Sequence, residues 1–153
     1  MIQRSISIFS GIKNFFFENS YVKKVYRVLD ESCYKISGGH LSVAFLDKFE
    51  MIGLHRRFLG DDILTDVITF DGDSDMDFAG EICVSPDYAS VSCLEHNIPF
   101  SEELTLYLVH GYLHLFGLND KSDSDILKMR QAEAYCMDLL KKRHAIPEFI
   151  YRA

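Results

Sequence analysis

The stretch that decides the fold of this chain is His110–Asp120, HGYLHLFGLND. His110 and His114 stand four residues apart in an apolar run, and on a helix this spacing puts both imidazoles on one face, with their Cβ atoms roughly 5–6 Å apart. Gly117 follows the last residue of the pattern, where a helix favours a left-handed cap. The chain can therefore turn and bring Asp120 back to the same point. Two nitrogens and one carboxylate oxygen would leave an open coordination position, as a catalytic metal requires.

Two histidines at this spacing also occur by chance as partly buried core residues. Two features favour the metal hypothesis. Both rings lie inside an apolar helix, where unpaired polar groups are costly. Gly111 also stands within that helix, at a cost of about 1 kcal/mol relative to Ala, which suggests that something approaches the backbone closely. In the zinc-protease motif H-E-x-x-H, the position of Gly111 carries a glutamate base. A peptidase of that kind is therefore disfavoured, and metal-bound water, whose pKa the ion lowers to about 7, would need no separate base.

The composition predicts one domain, residues 1–153, in the cytoplasm. The chain has no apolar run long enough to span a bilayer, and its N-terminus lacks the pattern of a signal peptide. Four cysteines without a CxxC spacing indicate reduced thiols rather than zinc ligands. The net charge of −7 argues against a protein that coats nucleic acid indiscriminately. Local basic groups occur at Lys23, Lys24 and Arg27, at Arg56 and Arg57, and at Lys141, Lys142 and Arg143.

Hydrophobic periodicity predicts an α+β chain with the element order β-α-β-α-β-β-α-α-α. Alternating or β-branched runs predict strands at Ile2–Phe9, Leu41–Leu46, Asp66–Phe70 and Ile82–Ser85. Helical spacing predicts helices over Tyr21–Ile36, Asp47–Phe58 and Pro86–Glu95, a fourth capped by Ser101 and a fifth capped by Ser122. Asp71–Asp77 is expected to form an acidic loop, and the tail over 144–153 to be loosely ordered.

Three stretches match known motifs in order. His110–Asp120 fits H-G-x-L-H-L-x-G-Y-D-H at its first eight positions, Phe58–Phe70 (FLGDDILTDVITF) is similar to Y-R-G-K-D-x-P-T-D-V-L-S-F, and Gly80–Val84 (GEICV) is similar to G-D-I-x-I. With these motifs, the chain from about Gly53 to Asp120 resembles the YbeY family of bacterial metal-dependent endoribonucleases. The resemblance implies a small mixed, mainly parallel four-stranded sheet covered by about five helices, with a metal site at a cleft.

The resemblance implies that His110, His114 and residue 120 hold one metal ion, with zinc expected. The third family ligand is histidine, and this chain has Asp120 there. A carboxylate oxygen binds zinc at about 2.0–2.2 Å, so the donor set is chemically sound. It is also harder and more anionic than three histidines, which favours tolerance of Mn²⁺ or Mg²⁺. The alternative is that Asp120 does not ligate.

The arginine of the second family motif, expected to hold RNA phosphate, falls at Leu59, and a lysine falls at Asp61. On a helix Arg56 shares a face with Leu59, whereas Arg57 is rotated off it. Arg56 is therefore the expected catalytic substitute, and the alternative is a solvated surface residue.

Three further positions match or approach the family motifs, and we expect them to support the site or to be structural. They are Thr65, Asp66 and Glu81.

The resemblance implies a single-strand-specific endoribonuclease that acts in 3′-end maturation of small-subunit (16S) ribosomal RNA and in ribosome quality control. Ribosomal RNA and the ribosome or its proteins would be the partners, with no membrane and no DNA. One alternative is a metal-dependent peptidase or other small-substrate hydrolase, against which Gly111 counts. Another is a non-catalytic ribosome-assembly factor with a structural metal, which stays open because Leu59 stands where the family has its arginine.

Overall fold

The computed structural model describes residues 3–152, over which the chain forms two sheets, five α-helices and one short 3₁₀ helix. In chain order the elements are β1 (Ile6–Ser10), β2 (Phe15–Phe16), α1 (Asn19–Asp30), β3 (His40–Phe45), α2 (Lys48–Leu59), β4 (Val67–Asp73), the 3₁₀ helix (Ser74–Met76), β5 (Phe78–Val84), α3 (Pro86–His96), α4 (Phe100–Phe116), α5 (Asp123–Lys142) and β6 (Ile150–Tyr151).

The larger sheet has the strand order β1-β3-β5-β4. β1 and β5 both run parallel to β3, and β4 runs antiparallel to β5 at one edge. The predicted α+β fold, with a mainly parallel four-stranded sheet and five helices, is confirmed. No helix within residues 3–152 is both long and apolar enough to span a membrane.

Helices cover both faces of this sheet. α4 packs on β4 and β5 and also contacts α3 and α5. α2 covers the opposite face, where Met51 is buried with Ala44, Ile68 and Cys83. Since side chains alternate between the faces of a strand, Ile82 of β5 points toward α4 while its neighbour Cys83 points toward α2.

The hairpin between β4 and β5 is longer than the sequence predicts. Asp71 pairs with Gly80 and Asp73 pairs with Phe78, so part of the expected Asp71–Asp77 loop is strand. The acidic side chains are exposed, because β4 is an edge strand that can carry polar residues there. The other boundaries also shift, since α1 ends at Asp30 and β1 begins at Ile6. Ile2, where the first predicted strand starts, lies outside the described residues.

The prediction that Ser101 caps the fourth helix is wrong. α4 has Pro99 at its N-cap, with φ −60° and ψ 144°, and the carbonyl of Pro99 accepts the N–H of Glu103. Ser101 lies inside the first turn, where its Oγ accepts the backbone N–H of Phe149 at 2.9 Å. The serine therefore ties the tail of the chain to α4.

The tail from His144 is packed rather than loose over the described residues. Phe149 is only 4% exposed, and its ring stacks on Phe15 with centroids 5.7 Å apart. β6 pairs antiparallel with β2. An aromatic cluster built from both ends of the chain therefore fixes a segment whose sequence alone predicts little order.

Candidate metal centre

α4 positions two of the predicted ligands and its end positions the third. The helix ends at Phe116, and Gly117 adopts φ 117°, a backbone conformation that residues other than glycine rarely take. The N–H groups of Gly117 and Leu118 donate back to the last turn, to the carbonyls of His114 and Leu113, as in a Schellman motif. The reversal brings Asp120 over the face that carries the histidines.

The donor atoms of His110, His114 and Asp120 converge on one point. The two Nε2 atoms lie 2.9 Å apart, and each lies 3.7 Å from Oδ2 of Asp120. Ligands held tetrahedrally at about 2.0–2.1 Å are roughly 3.3 Å apart, so the observed separations bracket the value expected around one zinc ion. The Asp120 side chain is 50% exposed, which leaves the point open to solvent and to a substrate.

Hydrogen bonds fix the tautomers of both rings. Nδ1 of His114 lies 3.0 Å from the carbonyl oxygen of Leu118, and Nδ1 of His110 lies 2.6 Å from Oε2 of Glu133. Both partners can only accept, Glu133 as a carboxylate, so each Nδ1 donates its N–H and each Nε2 is left with its lone pair. Two imidazole lone pairs and a carboxylate thus face one another, and a cation between them would remove the repulsion.

Glu133 supports the candidate metal centre, and no motif in the sequence predicts it. It lies on α5, is 5% exposed, and binds His110 with one oxygen and Nη1 of Arg130 with the other, at 2.7 Å. A carboxylate behind a ligating histidine orients the ring and raises its basicity. The available signal was a glutamate on the otherwise apolar face of α5, between the buried Met129 and Cys136.

The pKa values at the site follow from burial and from these contacts. Burial and the neighbouring His110 lower the pKa of His114, which favours the neutral ring that a metal requires. Burial by itself would raise the pKa of Glu133, but hydrogen bonds from His110 and Arg130 outweigh it and lower the pKa. Glu133 is therefore a carboxylate at neutral pH.

Gly111 has a structural explanation. A Cβ there would lie 2.5 Å from Cγ2 of Ile82 and 3.2 Å from Cγ2 of Thr69. The close approach expected from this glycine is thus made by strands β5 and β4, not by a ligand. It allows α4 to lie close to the sheet directly beside His110.

The arginine predicted to replace the family's basic residue is engaged elsewhere. Arg56 forms an ion pair with Asp62, and both side chains are more than half exposed. Arg57 lines a groove with Glu81 on the α2 side of the sheet. Leu59 is 60% exposed. Among residues 3–152, no hydrogen bond or ion pair joins either arginine to the three converging ligands.

The other predicted supporting residues divide between the two faces of the sheet. Asp66 accepts the backbone N–H of Val67 at 2.9 Å and the hydroxyl of Thr65 at 3.2 Å, so this pair closes the turn before β4. The charge of Asp66 also contributes to raising the pKa of Arg130. Glu81 lies on the α2 side, beside Cys83. Burial raises the pKa of the Cys83 thiol most, and Glu81 raises it further. Its position supports the structural alternative.

The fold places this chain in a class of small α+β proteins in which one central helix and the turn after it bring together side chains with the donor atoms for a divalent metal. The family model described as Endoribonuclease YbeY matches residues 11–141. The chain belongs to the YbeY family.

Individual relatives agree with this assignment. The Endoribonuclease YbeY of Protochlamydia amoebophila is 37% identical over 128 residues, which cover 81% of this chain and 82% of the relative. The Chlamydia pneumoniae Endoribonuclease YbeY is 34% identical over 121 residues, covering 73% and 76%. The solution structure of TM1509 from Thermotoga maritima superposes with a TM-score of 0.63, at 26% identity and over 91% of both chains. The predicted family is confirmed.

Proposed function

We propose that this chain is a metal-dependent endoribonuclease that cleaves single-stranded RNA and acts in 3′-end maturation of small-subunit ribosomal RNA and in ribosome quality control. The observation that carries the proposal is the convergence of His110, His114 and Asp120, at 2.9–3.7 Å between donor atoms, in a member of the YbeY family. The negative net charge of −7 fits an enzyme that contacts RNA locally rather than one that coats it.

One zinc ion is the metal that these three residues suit best. Nε2 nitrogens and a carboxylate oxygen are common zinc donors, and the hard carboxylate of Asp120 would also accept Mn²⁺ or Mg²⁺. When bound, such an ion supplies a Lewis acid that polarises a phosphoryl oxygen and makes an attacking water more acidic. Metal analysis of the purified protein, beside an Asp120→Ala variant, tests this assignment. Unchanged metal content in the variant would remove Asp120 from the ligand set.

The surrounding residues keep the site rigid and open. The carbonyl of Leu118 and the carboxylate of Glu133 each hold one Nδ1–H, so neither ring can turn its Nε2 away. Gly111 occupies the position where a zinc protease has its glutamate base, and it has no side chain to act as one. Its close approach to Ile82 leaves no room for a larger residue there. RNA can approach from the side of Asp120, the most exposed of the three ligands.

Two activity assays separate this function from its rivals. Purified protein with added zinc or manganese is incubated with single-stranded RNA in one assay and with casein in the other. RNA cleavage that His114→Ala abolishes supports the endoribonuclease. Cleavage of casein alone would support a peptidase, and bound metal with neither activity would support a non-catalytic assembly factor.

The ribosome and its proteins are the partners that this role requires, and the cytoplasm is where that substrate matures. Sedimentation of a cell lysate through a sucrose gradient tests the association. We expect the protein to migrate in part with small ribosomal subunits and their precursors. Migration only at the top of the gradient would contradict a stable ribosome complex.

A further inference from the structure

An endoribonuclease requires a cationic side chain near the metal centre to bind the phosphate of RNA. The family motif has an arginine for this role, and this chain has Leu59 at that position. Leu59 cannot bind phosphate, and Arg56 pairs with Asp62, which has no contact with the three ligands among the described residues. The carboxylates of Asp120 and Glu133 together would balance the whole charge of a divalent ion. With those residues alone the site would carry no net positive charge to attract a phosphodiester.

Arg130 on α5 is connected to the candidate metal centre through Glu133. Its Nη1 donates to Oε1 of Glu133 at 2.7 Å, and Oε2 of the same carboxylate binds His110. Only one carboxylate and one imidazole ring therefore separate this guanidinium from the point where the three donors converge. No other cation within residues 3–152 is joined to these ligands through their hydrogen-bond partners.

Most of the Arg130 guanidinium is free to bind something else. The side chain is 66% exposed, and of its five N–H donors, the contact with Glu133 occupies one. No other acceptor in the described part of the chain binds it. Its planar fork suits two oxygens of a phosphate group. Glu133 thus holds the base of the group in place and leaves its outer edge toward solvent.

The charges around Arg130 agree with this position. The hydrogen bond and the charge of Glu133 raise the pKa of Arg130 most, and the carboxylates of Asp120 and Asp66 raise it further. The guanidinium therefore lies within the electrostatic field of the third ligand. It places a positive charge beside the carboxylates of Glu133, Asp120 and Asp66, most of whose charge a bound divalent ion would offset.

We infer that Arg130 binds a phosphate of the RNA strand beside the metal centre, in the role that the family motif gives to the position of Leu59. This inference rests on the proposed endoribonuclease function. It identifies a substrate-contacting residue on α5, an element outside the three motifs that carry the family resemblance.

The test measures binding of the zinc-loaded protein to a 2′-O-methylated single-stranded RNA, whose integrity is checked on a gel. We expect Arg130→Ala to weaken binding roughly tenfold and to reduce the slope of log affinity against log salt by about 0.7, the value for one phosphate contact on a single strand. Arg130→Lys should recover part of the affinity, because it keeps the charge but loses the fork.

Arg143→Ala is the matched control. Arg143 follows the same helix, is about half exposed and pairs with the carboxylate of Glu31 at 3.1 Å. Arg143→Ala removes the same charge at a position away from the metal centre, so RNA affinity should change less than about twofold. Zinc affinity, measured by competition with a chromophoric chelator, should stay within about threefold of wild type in Arg130→Ala, since Glu133 keeps its bond to His110.

Three outcomes would overturn the inference. Equal RNA affinity in Arg130→Ala and wild type would show that no phosphate binds there. Lost zinc affinity with unchanged RNA affinity would make Arg130 a positioning residue for Glu133 alone. If RNA affinity fell in Arg56→Ala but stayed at the wild-type value in Arg130→Ala, Arg56 would be the phosphate-binding residue. A wild-type protein that neither binds nor cleaves RNA would instead refute the proposed function, and the inference with it.

Discussion

Oε2 of Glu133 lies 2.6 Å from Nδ1 of His110, so a buried carboxylate on α5 orients an imidazole ring on α4. We expect Glu133→Gln to lower zinc affinity roughly 10- to 100-fold, the usual effect of losing a carboxylate behind a ligating histidine. The amide keeps the size of the side chain but cannot supply the negative charge. Competition titration with a chromophoric chelator measures the change.

Asp138→Asn is the control for that variant. Asp138 lies on the same helix, 62% exposed, where it pairs with Lys142. The substitution removes the same charge without touching the site, and zinc affinity should stay at the wild-type value. Equal losses in the two variants would mean that net charge, rather than the Glu133–His110 contact, governs metal binding.

Asp120 should determine which metal the site prefers. In Asp120→His the third donor becomes a nitrogen, as in the family motif, so the ratio of zinc to manganese affinity should rise by at least about tenfold. Asp120→Ala should lose affinity for both ions, because only two histidines remain. Parallel titrations with the two metals give the ratios. A ratio that is the same in wild type and Asp120→His would show that the carboxylate does not coordinate.

The sequence predicts the parts of the site that are local in the chain. Helical spacing places His110 and His114 on one face, and Gly117 predicts the turn that returns Asp120. Glu133 escapes prediction, because its contact with His110 depends on how α5 lies against α4, which no local pattern specifies. The local signal in the sequence is a glutamate within the apolar helical pattern of α5.

The same distinction explains the errors in the fold. The positions of the four main strands along the chain follow from well-marked apolar runs, but β2 and β6 are two residues each and pair across nearly the whole chain. Neither Phe15 nor Phe149 carries a local pattern that predicts the stacking between them. Helix geometry favours Arg56 as the phosphate-binding residue, but its pairing with Asp62 depends on the path of the loop after α2, which no local pattern predicts.

Tyr112 should contribute to stability through its hydroxyl. Its Oη donates to Oδ1 of Asp30 at 2.7 Å and accepts the buried N–H of Ile36 at 3.2 Å. Tyr112→Phe leaves that N–H unpaired, and we expect the free energy of unfolding to fall by about 1–3 kcal/mol. Urea denaturation followed by circular dichroism measures it. Tyr21→Phe, at a tyrosine that is 54% exposed, should change the value by less than about 0.5 kcal/mol. Similar losses in both variants would contradict this role of the Tyr112 hydroxyl.

Gly111 and Gly53 should respond in opposite directions to the same substitution. Both lie inside helices, where Ala is favoured over Gly by about 1 kcal/mol. In Gly111→Ala the new methyl group would meet Cγ2 of Ile82 at 2.5 Å, and forcing α4 away from the sheet costs about 1–3 kcal/mol. In Gly53→Ala the Cβ has no neighbour among the described residues within 4 Å, so the helix gain should appear in full.

We therefore expect Gly111→Ala to lower the midpoint of urea unfolding and Gly53→Ala to raise it. Zinc affinity adds a second readout, because a shift of α4 also moves His110 and His114 relative to Glu133. It should fall in Gly111→Ala and stay constant in Gly53→Ala. If Gly111→Ala stabilised the protein as Gly53→Ala does, the close contact between α4 and Ile82 would not be a constraint on the fold, and the glycine beside His110 would again need a functional explanation.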